Sequence, residues 1–342
     1  MFWEYTDRRR FWVAGDQPES GRFRSLDPIA IPKKNVYHVQ SSEGREDMLF
    51  SVLASGSSGN ASLIEMGGFG VLIDAGLGPR QLAKRLANVG ASWHHVHAVL
   101  LTHIHGDHWN ERTLRHLCRH GIPLFCHAEH QDWLGQESRA FRHLDGAGLV
   151  RNYQEQEELR LSQSLRCVPL LIRHDGGVTC GFRFESEVDF FGQRWSLGYA
   201  TDLGSWEEML VEALANVDVL ALEFNHDVDM EMSSRRSPEL IARVLGDAGH
   251  LSNIQAADLV RRIVGCSEPG RLRHLVQLHL SQECNRPALA RAAAREALSD
   301  DVKIHSARQD RSGPCLALGR SRKRGKKQRR EHRHQACFPG WE

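Results

Sequence analysis

The chain has 342 residues with 44 Lys+Arg against 43 Asp+Glu, so its near-neutral total charge selects neither an acidic nor a basic partner. Hydrophobic residues at 41% supply a large core, and no apolar run is long enough for a bilayer span or a secretory signal, which predicts cytoplasmic residence and no membrane partner. None of the eight cysteines forms a C-x-x-C pair, so the spacing excludes a zinc knuckle and predicts free thiols.

Residues 1–47 are polar with scattered Pro, Gly and Ser, and read as a disordered extension. Met48 directly precedes the first convincing strand, 49–54, and a translation start there fits that pattern. Further short apolar runs predict strands at 62–66, 70–74, 96–102 and 123–126. Helical spacing is seen over 79–88, with Leu82, Leu86 and Val89 on one face, and over 110–120, with Leu114 and Leu117 facing inward. The second half predicts strands at 165–172, 179–184, 195–200, 217–223 and 274–279. Helices are predicted at 205–215, 238–247, 252–264 and 286–298. Early hairpins followed by alternating strands and helices imply an α/β fold with a mixed sheet covered by helices. The last segment, 319–342, carries a basic run at 320–330 and reads equally as a solvated disordered tail or as a non-specific phosphate contact.

The chemistry concentrates at Thr102-His103-Ile104-His105-Gly106-Asp107-His108, at the exit of a buried strand. In extended backbone His103 and His105 point to one side. Gly106 is expected to allow a tight turn, with Asp107 and His108 at the start of a helix. Two imidazoles and, a few ångströms away, a carboxylate–imidazole pair suit two adjacent divalent ions, zinc or manganese.

This string resembles the metal loop of the metallo-β-lactamase superfamily, whose fold is an αββα sandwich; the resemblance runs from Met48 to about Leu318. Val71-Leu72-Ile73-Asp74-Ala75-Gly76 resembles the family's first motif and implies that Asp74 supports the metal loop without ligating. Leu171-Ile172-Arg173-His174-Asp175 resembles the third motif, so His174 joins His103 and His105 at one metal. Gly198-Tyr199-Ala200-Thr201-Asp202 resembles the fourth and implies Asp202 as the bridge. Val276-Gln277-Leu278-His279 resembles the fifth and gives His279 to the second metal, with Asp107 and His108.

Three other segments are similar to the WalJ/YycJ-type subgroup, which is associated with nuclease activity on DNA. Ser55-Gly56-Ser57-Ser58-Gly59-Asn60 offers either a hairpin or backbone N–H groups for a phosphate, with Ser57, Ser58 and Asn60 as substrate contacts. Glu223-Phe224-Asn225-His226-Asp227 brings His226 toward substrate. Gly249-His250-Leu251-Ser252 reads either as a helix cap or as a catalytic segment in which His250 serves the leaving group. Asp107 is expected to orient the attacking water as well as to ligate. The stretch between Asp202 and His279 is filled by expected strands and helices, leaving no room for a β-CASP insertion. The expected function is a two-metal phosphodiesterase acting on DNA, a nuclease with exonucleolytic action as one form of it. The same metal loop also suits a hydrolase of a small cyclic phosphodiester, thioester or lactone, and the basic tail alone suits a non-catalytic nucleic-acid-binding protein.

Overall fold

The computed structural model describes residues 48–187 and 194–318. The expected extension at 1–47 and basic tail at 319–342 lie outside the described residues, as does Cys337. The first half contributes strands β1 (Met48–Ala54), β2 (Ala61–Met66) and β3 (Phe69–Ile73), helix α1 (Pro79–Asn88), β4 (Ala98–Leu100), α2 (Glu111–His120), β5 (Leu124–His127), α3 (Ala128–Glu137), α4 (Arg139–Gly146) and β6 (Val150–Tyr153). The second contributes β7 (Leu159–Arg160), β8 (Leu165–Ile172), β9 (Thr179–Ser186), β10 (Ser196–Ala200), α5 (Glu208–Leu214), β11 (Val219–Glu223), α6 (Val228–Met232), α7 (Pro238–Leu245), α8 (Asn253–Gly265), β12 (His274–Leu278), α9 (Pro287–Ala297), β13 (Lys303–Ser306) and β14 (Leu316–Leu318).

These strands form two seven-stranded sheets, ordered β14-β1-β2-β3-β4-β5-β6 and β13-β12-β11-β10-β9-β8-β7. Strand alternation explains how they stack. Phe50, Val52, Ile64, Val71 and Ile73 from the first sheet meet Phe182, Phe184, Leu197, Tyr199 and Val276 from the second in one core. The opposite face of the first sheet, including Leu72 and Val99, buries Leu82, Leu86, Leu114, Leu117 and Phe141 from its helices. The outer face of the second, including Leu220 and Leu275, buries Leu210, Leu214, Leu259 and Ile263. The layers are therefore αββα, as the family resemblance implies.

Within each sheet four strands run parallel: β3 to β6, and β10 to β13. Their carboxyl ends, together with that of β8, carry the residues of interest, the usual place for ligands in sheets of this kind. Loops between Asp202 and His279 are occupied by α5, β11, α6, α7, α8 and β12, with no inserted domain among the described residues. The seven described cysteines are free. No helix of the described residues is long and apolar enough to cross a membrane.

Two local expectations fail. The strand predicted over 96–102 shortens to β4, because Thr102 leaves the ladder to bond the Asp74 carboxylate and to accept from Cys180 N of the other sheet. Asp107 and His108 lie in a turn before the Asn110 cap of α2, rather than inside the helix, and Gly106 has neither a positive φ nor a neighbour that a Cβ would meet.

Candidate metal centre and its rim

Six strand ends converge on one point: Asp74 after β3, His103 after β4, His174 after β8, Asp202 after β10, Glu223 closing β11 and His279 after β12. Asp74, Asp202 and His279 take φ of 60°, 58° and 52°, a left-handed conformation that costs a non-glycine residue of order 1–3 kcal/mol. Three such residues in one cluster are held there by their surroundings. The Asp74 N–H is bonded to Leu100 O, and the His279 N–H to Ser55 Oγ at 2.8 Å.

His103, His105 and His174 each offer a ring nitrogen within 4.8 Å of the others, and a carboxylate oxygen of Asp107 and ring nitrogens of His108 and His279 cluster as closely. Asp202 touches both groups: it clusters with His103 of the first and His108 of the second, with Oδ2 at 3.3 Å from His108 Nε2 and Oδ1 at 3.4 Å from His279 Nε2. The opposite nitrogens are anchored. His108 Nδ1 is 2.7 Å from Asp74 Oδ2, His174 Nδ1 is 3.0 Å from Gly249 O, and His279 Nδ1 is 3.2 Å from Glu223 Oε1. Asp74 is itself fixed by the Thr102 N–H at 2.8 Å and by the Thr102 hydroxyl. Partners of this kind set a ligating histidine's tautomer and aim its free lone pair. Gly176 packs so closely that a Cβ there would lie 2.7 Å from His103 Cδ2.

The electrostatics fit a cation. His103 Nε2 and His279 Nε2 are buried and make no hydrogen bond, although buried ring nitrogens are normally satisfied. Burial holds the His103 imidazole well below its ordinary pKa and brings His105 down to about 4, keeping both lone pairs available. At His279 burial opposes charge too, but Asp202, Asp107 and Glu223 override it and hold that imidazole up to about 10. The same surplus of carboxylate that keeps a proton there would draw a divalent cation in its place. Nitrogen and carboxylate donors in this number suit zinc or manganese.

Other expected residues are placed differently. Asn60 is buried and serves the ligand loop: its Nδ2 lies 3.0 Å from Asp107 Oδ2 and 3.0 Å from His108 Nε2. Ser57 and Ser58 are exposed, but the expected cradle of free backbone N–H groups is not formed. The amides of Ser55, Gly56, Ser58, Gly59 and Asn60 are all bonded within the protein, that of Ser58 to Gln309 Oε1 at 2.9 Å. The His226 side chain, expected near substrate, is fully buried, and its backbone pairs with Ser252 ahead of α8. His250 lies at the rim between His174 and His279, with ring centroids 5.1 Å from each.

Sequence reasoning missed Glu223, which anchors the rim. One oxygen is 2.8 Å from His250 Nδ1 and 3.2 Å from His279 Nδ1; the other accepts from Leu203 N and Leu251 N. Burial alone would push this carboxyl up, but His250 and His279 bring it down to about 2. Its signal was an acidic residue ending a wholly apolar strand, just ahead of Asn225 and His226. Asp175 was also missed; it sits 3.7 Å from His105 Nε2 and is paired with Arg243 of α7.

A family profile described as a beta-lactamase superfamily domain matches residues 70–268, more than half the chain. The chain belongs to this superfamily. Family, fold and donor set make the superfamily member described here a metal-dependent hydrolase. Among curated relatives, the exodeoxyribonuclease WalJ of Streptococcus pneumoniae is 27% identical over 283 residues, covering 79% of this chain and 97% of its own. The exodeoxyribonuclease YycJ of Bacillus anthracis is 26% identical over 263 residues, covering 73% and 89%. Among solved structures, the metallo-β-lactamase fold protein YhfI of Bacillus subtilis aligns with a TM-score of 0.57 at 16% identity, over 80% of this chain and all of its own. Zinc-bound PqqB of Methylobacterium extorquens aligns with a TM-score of 0.55 at 16% identity, with the same coverage. At these identities the structural likenesses bear on fold alone.

Proposed function

We propose that this protein is a two-metal phosphodiesterase that degrades DNA from its ends. The observation that carries the reading is the pair of three-donor clusters joined through Asp202, with the Glu223–His250 pair on their rim. The exodeoxyribonuclease names of the two curated relatives, which match over most of the chain, support the DNA assignment. Residues 48–318 form the hydrolase domain in this reading.

His103, His105 and His174 would hold one ion and Asp107, His108 and His279 the other, with Asp202 shared. Two bound divalent ions supply a water of lowered pKa and neutralise charge on a phosphate. Asp107, fixed by Asn60 Nδ2, would hold the second ion and would orient the attacking water. The Glu223 carboxylate accepts the His250 Nδ1–H and fixes the ring, which leaves Nε2 as the nitrogen that passes a proton to the departing oxygen. Asp74 and Gly249 O keep His108 and His174 in the tautomers that ligate.

Metal analysis of purified protein combined with digestion of end-labelled DNA tests the reading. The expected result is two metal equivalents and stepwise release of nucleotides from one end. Hydrolysis of thioesters or lactones with intact DNA would overturn it.

A further inference from the structure

Beside the metal centre runs a groove that the chemistry above leaves unused. It has a volume of about 750 Å³ and lies between β8 and α5, with His174 of the first donor cluster in its wall. That volume is in the range of ligand sites. Its floor and sides are Val168, Leu170, Leu171, Trp206 and Met209. Leu171 is 56% exposed and Met209 57%, an unusual outlay of apolar surface beside a polar centre. Gln156 Nε2 reaches Met209 Sδ at 3.1 Å along its lining. From His174 back to Val168 the strand spans roughly 20 Å, enough for several nucleotides at about 3.4 Å each.

The lining decides which part of a nucleic acid fits. Glu207 and Asp247 line it against a single arginine, Arg173, so it repels a phosphate backbone. Bases are the apolar, flat part of DNA, and an indole is their usual stacking partner. In a duplex those faces are already stacked, so a groove for bases selects an unpaired strand.

We propose that the β8–α5 groove binds the unpaired nucleobases next to the scissile phosphate, with Trp206 as the stacking platform, so that the substrate is a single-stranded DNA end. This rests on the nuclease reading and names the form of DNA it takes. The phosphate sits at the metal centre, and the bases of the neighbouring nucleotides lie along the apolar floor away from His174.

The test compares kcat/KM on a single-stranded oligonucleotide with kcat/KM on bis(p-nitrophenyl) phosphate, a substrate with no nucleobase. Trp206→Ala lowers the DNA-to-small-substrate ratio roughly tenfold through KM, and Trp206→Phe restores most of it. Leu171→Glu and Met209→Glu, at exposed positions that leave the core intact, lower the ratio similarly. Leu289→Gln on α9 leaves it unchanged. An oligonucleotide with abasic sites at its end loses the same factor with the natural protein and nothing further with Trp206→Ala. Unchanged ratios in all groove variants on a protein that digests DNA overturn the groove and leave the nuclease reading standing. A natural protein that neither binds nor digests DNA overturns both. Loss of self-association in Leu171→Glu, with DNA digestion intact, would instead give the groove to a second copy of the chain and overturn the proposal.

Discussion

Replacing Asp74 with Asn changes no volume and removes one charge, and its predicted effect follows from proton placement. Asp74 accepts from Thr102 N at 2.8 Å, from the Thr102 hydroxyl and from His108 Nδ1 at 2.7 Å. An asparagine keeps one acceptor oxygen, and the Thr102 N–H claims it. The amide NH₂ then faces His108 Nδ1, which must accept, so the imidazole proton moves to Nε2. That nitrogen is the one directed at Asp202, 3.3 Å away, and it loses the lone pair a metal needs. Losing a partner of this type costs about 10- to 100-fold in metal affinity, or roughly 1.4–2.7 kcal/mol. A buried charge-assisted hydrogen bond contributes about 1.5–3 kcal/mol, so the apo-protein should also melt several degrees lower. Calorimetric titration with zinc or manganese, with metal content after dialysis, reads the first effect, and thermal unfolding reads the second. Because His108 belongs to the second cluster, the variant should retain one ion more firmly than the other. An Asp74→Asn protein that keeps two ions at natural affinity would refute the tautomer argument.

His250→Ala should lower turnover on DNA about 10- to 100-fold while metal content stays near normal, and loss of metal would instead make it a ligand; Glu223→Gln should lower turnover similarly and, because Glu223 also anchors His279 Nδ1, weaken binding of the second ion. Gly176→Ala drives a methyl to 2.7 Å from His103 Cδ2, so it should weaken metal binding and cost about 1–3 kcal/mol, read from dialysis-stable metal and the melting curve. His130 gives a pH dependence away from the metal centre. Burial brings it down to about 4, while Nδ1 accepts from His127 N and Nε2 bonds Val178 O. Its folded pKa lies below the unfolded value of about 6.5. Its contribution to stability is therefore intact above pH 6.5 and is lost as pH falls toward 4, by up to about 3 kcal/mol. Denaturant titrations of the natural protein against His130→Gln between pH 7 and 4 should diverge by that amount, and parallel curves would count against it.

The metal string was legible because strand and ligands are contiguous: an apolar run sets the direction and the period-two backbone places His103 and His105. His174, Asp202 and His279 were named through the family resemblance, on segments where a polar residue follows an apolar run; the run alone would not have singled them out. Glu223 ends a strand in the same way but acts by accepting from His250 and His279, which are remote in sequence, so its role depends on the fold. The helix α3 was missed because it mixes His, Gln, Asp and Gly with no clean apolar stripe, and α4 because its apolar face, Ala140, Phe141 and Leu144, spans barely two turns. β6, β7, β13 and β14 were missed because edge strands of two to four residues carry too little pattern to stand out. The Ser-Gly loop was read as either an anion cradle or a closed hairpin because small residues suit both; the Ser58 amide is taken by Gln309, about 250 positions later, a partner no local pattern announces.

That late partner has a consequence for the timing of assembly on the ribosome. Gln309 accepts from Ser58 N and donates to Gly59 O, while Arg85 holds its backbone, and Asn60 at the end of this loop steadies Asp107. β1, made first, pairs with β14, made last, through Met48 opposite Leu318. At about 5–20 residues per second, roughly 12–50 s separate synthesis of Asn60 from that of Gln309. For that interval the metal-binding loop has Asp74 to hold Thr102 and His108, but the loop that carries Asn60 lacks its Gln309 brace. The bracing of Asn60, and through it of Asp107, therefore waits on the last part of the described chain to be made.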